Sequence, residues 1–305
     1  MRWLLDGDPA IRWQTMRDLL DAPPEELLPE QAKVAGEGSG ARLLAEQDAE
    51  GRWGHGWYSP KWTSTFYTMQ LLWQLGLEPS NGAARRGATL LLDRGLTRDN
   101  GLRYRERPGQ LYIGETCESA MGLAMLSWFV PDDERLRLLV ANLLGEQMAD
   151  GGWNCQRRAG ATHASFNTTI LALEGLLEWD RQCGRRRDVT AARIRGEEFL
   201  LSHRMFRSHT TGEIIRKQYT MLSFPSRWHY DVLRGLHYLA AAEADRDERA
   251  AESIELIRSK RRADGRWPLQ QPHAGQVFFK LEEGREGSRW NTLRALRVLR
   301  WWDKR

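Results

Sequence analysis

Three stretches of this chain nearly coincide: Gln47 to Trp53 reads QDAEGRW, Gln147 to Trp153 reads QMADGGW, and Arg261 to Trp267 reads RRADGRW. A recurring turn implies a recurring structural unit, and such a period limits the possible folds before any single motif does. Gly51, Gly101, Gly151, Gly212 and Gly265 mark five polar turns at intervals of 50, 50, 61 and 53 residues. The turns around Gly101 and Gly212 have neither the Gln nor the Trp.

Each turn sits between two kinds of helical segment. Ahead of it come amphipathic stretches such as 135–148 and 251–262, where Glu252, Glu255 and Arg258 oppose Ile254 and Ile257. After it come segments that align without gaps on a signature of small residues and leucines. These are Thr68-Met-Gln-Leu-Leu72, Ser119-Ala-Met-Gly-Leu123, Thr169-Ile-Leu-Ala-Leu173, Val232-Leu-Arg-Gly-Leu236 and Thr292-Leu-Arg-Ala-Leu296, with Thr15-Met-Arg-Asp-Leu19 as a weaker sixth copy. Gly or Ala at one position would let neighbouring helices approach closely, so the second kind belongs to an interior layer and the first to an outer one. The expected fold is all-α, a single α/α toroid of about six inner and five to six outer helices, spanning 1–305 as one domain.

The turns Gln47 to Trp53 and Gln147 to Trp153 resemble the QW motif of squalene–hopene and oxidosqualene cyclases. The 50-residue alternation resembles that fold and the related protein prenyltransferase β subunit. In such a motif the Gln bonds backbone at a helix end and the Trp stacks over it, so the resemblance implies an architecture rather than a reaction. The cyclases normally carry two such domains, and their acidic DxDD proton donor has no counterpart here. The nearest string, Pro131-Asp-Asp-Glu134, opens an outer helix, where acids suit the cap and the first turn.

Composition narrows the partners. With a net charge of +4, 28% charged residues and no clustered Lys/Arg run, the chain does not read as a nucleic-acid binder; Arg185 to Arg187 reads as a solvated turn. Three cysteines, Cys117, Cys155 and Cys183, form neither a disulfide framework nor a CxxC pair, which fits a reducing cytoplasm. Asp6 and Asp8 interrupt any apolar leader, and no apolar run is long enough to span a membrane.

Functional groups are expected at the heads of the inner helices, where partial positive charge and side chains would converge on a central cavity. One residue before each signature stand Tyr67, Glu118, Thr168, Asp231 and Asn291, and the preceding turn adds Thr65, Thr116, Phe166, His229 and Arg289. The segment Ser226-Arg-Trp-His-Tyr-Asp231 sets His229 two residues from Asp231 and flanks them with Arg227, Trp228 and Tyr230; Ser288-Arg-Trp-Asn291, containing Arg289 and Trp290, echoes it. A His beside a carboxylate can hold or transfer a proton, and aromatic faces can stabilise a cation. The same residues also serve as helix caps. His55, Tyr58 and Lys61 lie in an aromatic loop that would arch over the cavity mouth, while His203, His209, His237 and His273 read as surface or core residues.

Glu115-Thr-Cys117-Glu118 resembles the Asp-x-Cys of the prenyltransferase zinc site, whose third ligand is a His; His163 and His229 are the candidates for that place. Glu stands here for Asp, and neither His lies in a matching motif.

Two functional classes emerge. One is a terpenoid cyclase-like or prenyl-substrate enzyme with Asp231, Glu118 and Glu115 as acid–base groups, His229 as partner, and no cofactor unless zinc is bound. The other is a non-catalytic toroid that binds a ligand, peptide or sugar; a polysaccharide lyase-like enzyme is a third possibility. The enzyme reading is favoured because burying Glu118, Asp231, His229 and Arg289 costs several kcal/mol unless they pair well, a cost a scaffold would avoid.

Overall fold

The computed structural model describes residues 1–104 and 113–304. Its α-helices are α1 (Arg2–Leu5), α2 (Pro9–Leu19), α3 (Pro24–Gly36), α4 (Gly38–Ala45), α5 (Thr65–Leu75), α6 (Gly82–Gly95), α7 (Thr116–Phe129), α8 (Arg135–Gly145), α9 (Phe166–Cys183), α10 (Arg187–Ser202), α11 (Val232–Ala241), α12 (Ala251–Ser259) and α13 (Arg289–Asp303). The fold is all-α; among the described residues the only extended pairings are isolated bridges such as Leu96 with Leu102 and Trp267 with Ser288.

Contacts divide the chain into two compact units. One comprises 1–45, 74–78 and 200–305; the other comprises 46–73 and 79–199.

Burial separates two kinds of helix within each unit. In α7 twelve of fourteen residues are buried, with serine, alanine and glycine among the leucines and methionines, so no face is left for solvent. In α8 the buried residues are Leu136, Leu139, Val140 and Leu143, a single stripe at helical spacing. The contrast is weaker between α13, with eight of fifteen residues buried, and α12, where only Ser253, Ile254 and Ile257 are buried. Asp133 accepts the Arg135 backbone N–H and pairs with its guanidinium, so of the acids in 131–134 it is Asp133 that caps α8, while the Glu134 side chain makes no cap bond.

The repeated turns are built alike. Gln47 donates its amide to the carbonyls of Gly51 (2.9 Å) and Ala83 (3.0 Å), and Gln147 does the same to Gly151 (2.7 Å) and Ala192 (2.8 Å). Each Gln thus closes its own turn and ties it to the following outer helix. Four residues beyond those alanines lie Gly87 and Gly196, and a Cβ at either would come within 2.8 Å of the Trp53 or Trp153 ring. The absent side chains are the seats of the two indoles. Trp53, Trp153 and Trp267 are fully buried, and the indole N–H of Trp153 and of Trp267 caps a carbonyl ten residues upstream, Leu143 at 2.8 Å and Ile257 at 2.7 Å.

Turns without Gln keep the same bond through other donors. Thr97 donates to the Gly101 carbonyl at 2.8 Å, Arg207 to Gly212 at 2.7 Å, and Arg261 to Gly265 at 3.4 Å. Each glycine of the turns at 51, 151, 212 and 265 has φ between 73° and 90°, a region costly for residues with a Cβ.

The signature's first residue has a role not expected from small size alone. Thr169, Thr292 and Ser119 accept the backbone N–H of Trp153, Trp267 and Leu102 at 2.9, 3.0 and 2.8 Å. In the first repeat the acceptor is Thr65 rather than Thr68, three residues from the gapless alignment. The signature glycines also differ from expectation: a Cβ on Gly122 would strike Leu102 and one on Gly235 would strike Tyr230, side chains from the preceding segment rather than a neighbouring helix. Close helix-to-helix approach occurs instead at Gly175, where a Cβ would lie 2.5 Å from the Ala120 carbonyl and so bring α9 against α7.

Candidate functional site

Two constellations gather the expected side chains, one in each unit.

In the unit holding α7 and α9, Glu118 is fully buried, and its Oε2 accepts the Tyr104 backbone N–H at 2.7 Å. Aromatic rings crowd the same region. Tyr67 donates its hydroxyl to Tyr58 (2.7 Å) and meets Tyr58, Trp62 and Phe66 at ring separations of 5.0, 4.6 and 5.7 Å, while Phe66 lies 5.1 Å from Tyr104. Burial raises the Tyr67 and Tyr104 phenol pKa values well above their ordinary value, and the Glu118 charge pushes both the same way. These phenols therefore stay neutral and act as hydrogen-bonding groups. Lys61 stands beside this group, 5.5 Å from the Trp62 ring and 6.0 Å from Tyr58. Phe166, first residue of α9, packs 5.2 Å from Phe199.

Glu115 precedes α7, and its Oε2 lies 3.9 Å from the Cys117 sulfur. Cys117 also hydrogen-bonds Cys155, a partner the sequence did not single out. That bond is the leading cause that brings the Cys155 thiol down to about 6 and raises Cys117. His163 is exposed near Thr162, and its carbonyl accepts from Asn154 at 2.8 Å. Among the described residues no three His, Cys, Asp or Glu side chains are grouped so as to hold a metal ion. The expected zinc set of Cys117, a neighbouring Glu and His163 is thus not assembled: Cys117 faces a second thiol, and His163 faces solvent.

In the other unit Asp231 is the N-cap of α11. Its carboxylate accepts the Arg234 N–H at 2.9 Å and the Ser223 hydroxyl at 2.7 Å. Arg227 and Arg234 are both buried, and the Arg234 guanidinium donates to the carbonyls of Arg227 (3.1 Å) and His229 (2.6 Å). The His229 ring lies between Trp228, at 3.6 Å, and His273, at 3.8 Å, in a nearly parallel stack. His273 has no spacing to His229 that a sequence could reveal; the long segment between α12 and α13 brings it there. Burial, reinforced by the Arg227 and Arg234 charges, lowers the His273 pKa to about 4, so this ring is neutral at pH 7. Tyr230 donates to the Met205 carbonyl at 2.6 Å, and burial raises its pKa.

At the head of α13, Asn291 is fully buried and donates to the Pro268 carbonyl at 2.9 Å. Trp290 stacks on Phe224 at 4.3 Å, and the Arg289 guanidinium covers Trp3 at 4.5 Å. Glu282, which the sequence reading passed over, accepts the N–H groups of Arg289 (2.5 Å) and Trp290 (3.3 Å) and the Ser288 hydroxyl (2.6 Å), and so caps this helix.

No protein-family model and no curated protein matches the sequence. Among solved structures the chain is similar in fold to a crystal structure of a protein from Actinoplanes, with a TM-score of 0.50 and 17% identity over 98% of this chain and 91% of that one. A further match is the apo structure of the type II terpene cyclase MstE from Scytonema, with a TM-score of 0.48 and 16% identity over 96% of this chain and 88% of that one. No described helix is long and apolar enough to cross a membrane.

Proposed function

We propose that this chain is a terpenoid cyclase-like enzyme that acts on a small hydrophobic or prenyl-type substrate by acid–base chemistry at the heads of its buried helices. The observation that carries this reading is Glu118, a fully buried carboxyl group beside Tyr67 and Tyr104. Burying a carboxylate costs several kcal/mol in an apolar setting unless it pairs well, and Glu118 is buried in the first turn of α7, where its Oε2 accepts the Tyr104 backbone N–H. Ring faces stabilise a passing carbocation, and a nearby carboxylate both favours that charge and can remove a proton to end the reaction. Asp231, with His229 two residues away, is the second acid–base group of this reading.

A binding role is the second reading, and Asp231 itself favours it. Its bonds to the Arg234 N–H and the Ser223 hydroxyl suffice to explain a helix cap without chemistry.

The test is to incubate the protein with linear polyprenyl alcohols, polyprenyl diphosphates and squalene, and to analyse products by gas chromatography and mass spectrometry. Wild type should release a cyclised or isomerised product, and Glu118→Gln and Asp231→Asn should each abolish it while the helical circular dichroism signal is kept. Full turnover in Asp231→Asn would remove that residue from the chemistry, and full turnover in Glu118→Gln would sink the reading as a whole.

A further inference from the structure

The spacing of His203 and His209 along the chain suggests no pairing, yet the structure brings their rings together. The Nδ1 of His209 lies 2.9 Å from the Nε2 of His203, and the ring centroids are 4.7 Å apart at an interplanar angle of 86°. One proton lies between the two nitrogens, so a lone pair of one imidazole points at the other ring. The backbone holds both residues. His203 directly follows α10, and its carbonyl accepts the N–H groups of Arg207 (2.7 Å) and Phe206 (3.1 Å). His209 belongs to the turn at Gly212, which has neither Gln nor Trp; the Ser208 N–H donates there to the Glu213 carbonyl and the Gly212 N–H to the Ser208 carbonyl, both at 2.8 Å. The Ser202 hydroxyl, 3.3 Å from Nδ1 of His203, steadies the outer nitrogen of that ring. His203 is half-buried and His209 exposed, which leaves the rings room to turn on a fixed backbone.

We propose that His203 and His209 form a surface site for a divalent transition-metal ion of the copper(II) or nickel(II) class, with water in the remaining positions. Neutral imidazole suits these ions, and copper(II) binds the tighter of the two. Two nitrogens at about 2.0–2.1 Å from one metal stand about 2.9 Å apart in the cis positions of a square-planar or octahedral ion, and about 3.3 Å apart around a tetrahedral one. The separation of the two rings fits the cis arrangement. The metal takes the place of the shared proton. That proton moves to the outer nitrogen of the ring that carries it, both imidazoles stay neutral, and each turns to aim its lone pair at an ion beside the line joining them. Water supplies the other positions, because among the described residues no three His, Cys, Asp or Glu side chains are grouped so as to hold a metal ion. The bound ion ties the end of α10 to the turn at Gly212 and so stabilises the folded chain. No substrate takes part, so the site stands or falls apart from the proposed activity.

The experiment titrates the full chain, stripped of metal by a chelator that is then removed, with copper(II) in a non-coordinating buffer, and follows the ion by electron paramagnetic resonance. Pulsed measurements on wild type should find two imidazole nitrogens on a single tightly held ion. His203→Gln and His209→Gln should each lose one of the two and weaken binding by about tenfold or more. His163→Gln, at an exposed histidine of the other unit, should leave both readings unchanged. Nickel(II) should raise the melting temperature of wild type and leave that of His209→Gln where it was. Copper held by a single imidazole in wild type, or a two-imidazole signal that survives in His209→Gln, overturns the proposal. The nitrogen count on the unmodified chain needs no variant to fold.

Discussion

Trp153 is held from three directions: its ring sits over Gly196, its indole N–H reaches the Leu143 carbonyl, and its backbone N–H reaches Thr169. Trp153→Ala removes the ring and leaves a cavity against a helix that cannot easily collapse, so it should cost about 3–5 kcal/mol of stability in urea denaturation. Thr169→Val keeps the shape but strands the buried Trp153 N–H, and about 1–3 kcal/mol should be lost. If Thr169→Val proved neutral, the threonine would be filling space rather than accepting a bond. Glu282 makes a comparable case at α13, where Glu282→Ala should lower the melting temperature by removing the acceptor of two helix-start N–H groups.

At the scale of elements, glycines distinguish packing from mere permissiveness. A Cβ on Gly196 would stand 2.8 Å from the Trp153 ring and 2.9 Å from Leu173, so Gly196→Ala should destabilise by about 1–3 kcal/mol. Gly145, at the end of α8, has nothing within 4 Å of such a Cβ, and Gly145→Ala should be neutral or stabilising by up to about 1 kcal/mol. Equal effects at the two sites, measured by thermal unfolding, would contradict the seat assigned to Gly196. The amphipathic helices α8 and α12 were legible because one stripe of leucine and isoleucine fixes a helical period. All five turns were legible from their glycines, but the donors Thr97, Arg207 and Arg261 that replace Gln were not, because the Gly carbonyl needs only a donor that reaches it. The three-residue slip between Thr65 and Thr68 is invisible for the same reason: two threonines fit one pattern, and only the path of the chain selects between them. Of the candidate site residues, Glu118 and Asp231 stand out by their place in the repeat. Cys155, His273 and Glu282 could not, since each meets its partner through irregular segments that carry no period.

The molecule's response to acid sums groups that pull in opposite directions. Neighbouring arginines hold the Asp18, Asp133 and Glu252 carboxyls below their ordinary range, and hydrogen bonds from Thr97 and the Gly114 N–H, aided by Arg158, do the same for Asp99; these groups stabilise the fold above that range, and their contribution is lost as pH falls through the lowered values. Burial raises Asp180 and Glu282, which work the other way and do so at higher pH, between their ordinary values and their raised ones. His273 acts earlier. Its folded pKa lies near 4 against 6.5 for an ordinary histidine, so above 6.5 both folded and unfolded chains carry it neutral. Between 6.5 and 4 only the unfolded chain takes up this proton, so His273 withdraws stability across that interval, against the opposing contribution of the raised Asp180 and Glu282. The physical obstacle is the burial of a ring stacked on His229, reinforced by the Arg227 and Arg234 charges, which a protonated ring would oppose. Thermal unfolding measured at a series of pH values should therefore show a His273-linked decline in melting temperature from about pH 6.5 to 4, above the range in which the lowered carboxyls titrate. His273→Asn should flatten that decline while leaving the later, carboxylate-linked one in place. An unchanged profile in His273→Asn would assign the early loss to another group and remove the His229–His273 stack from the molecule's acid response.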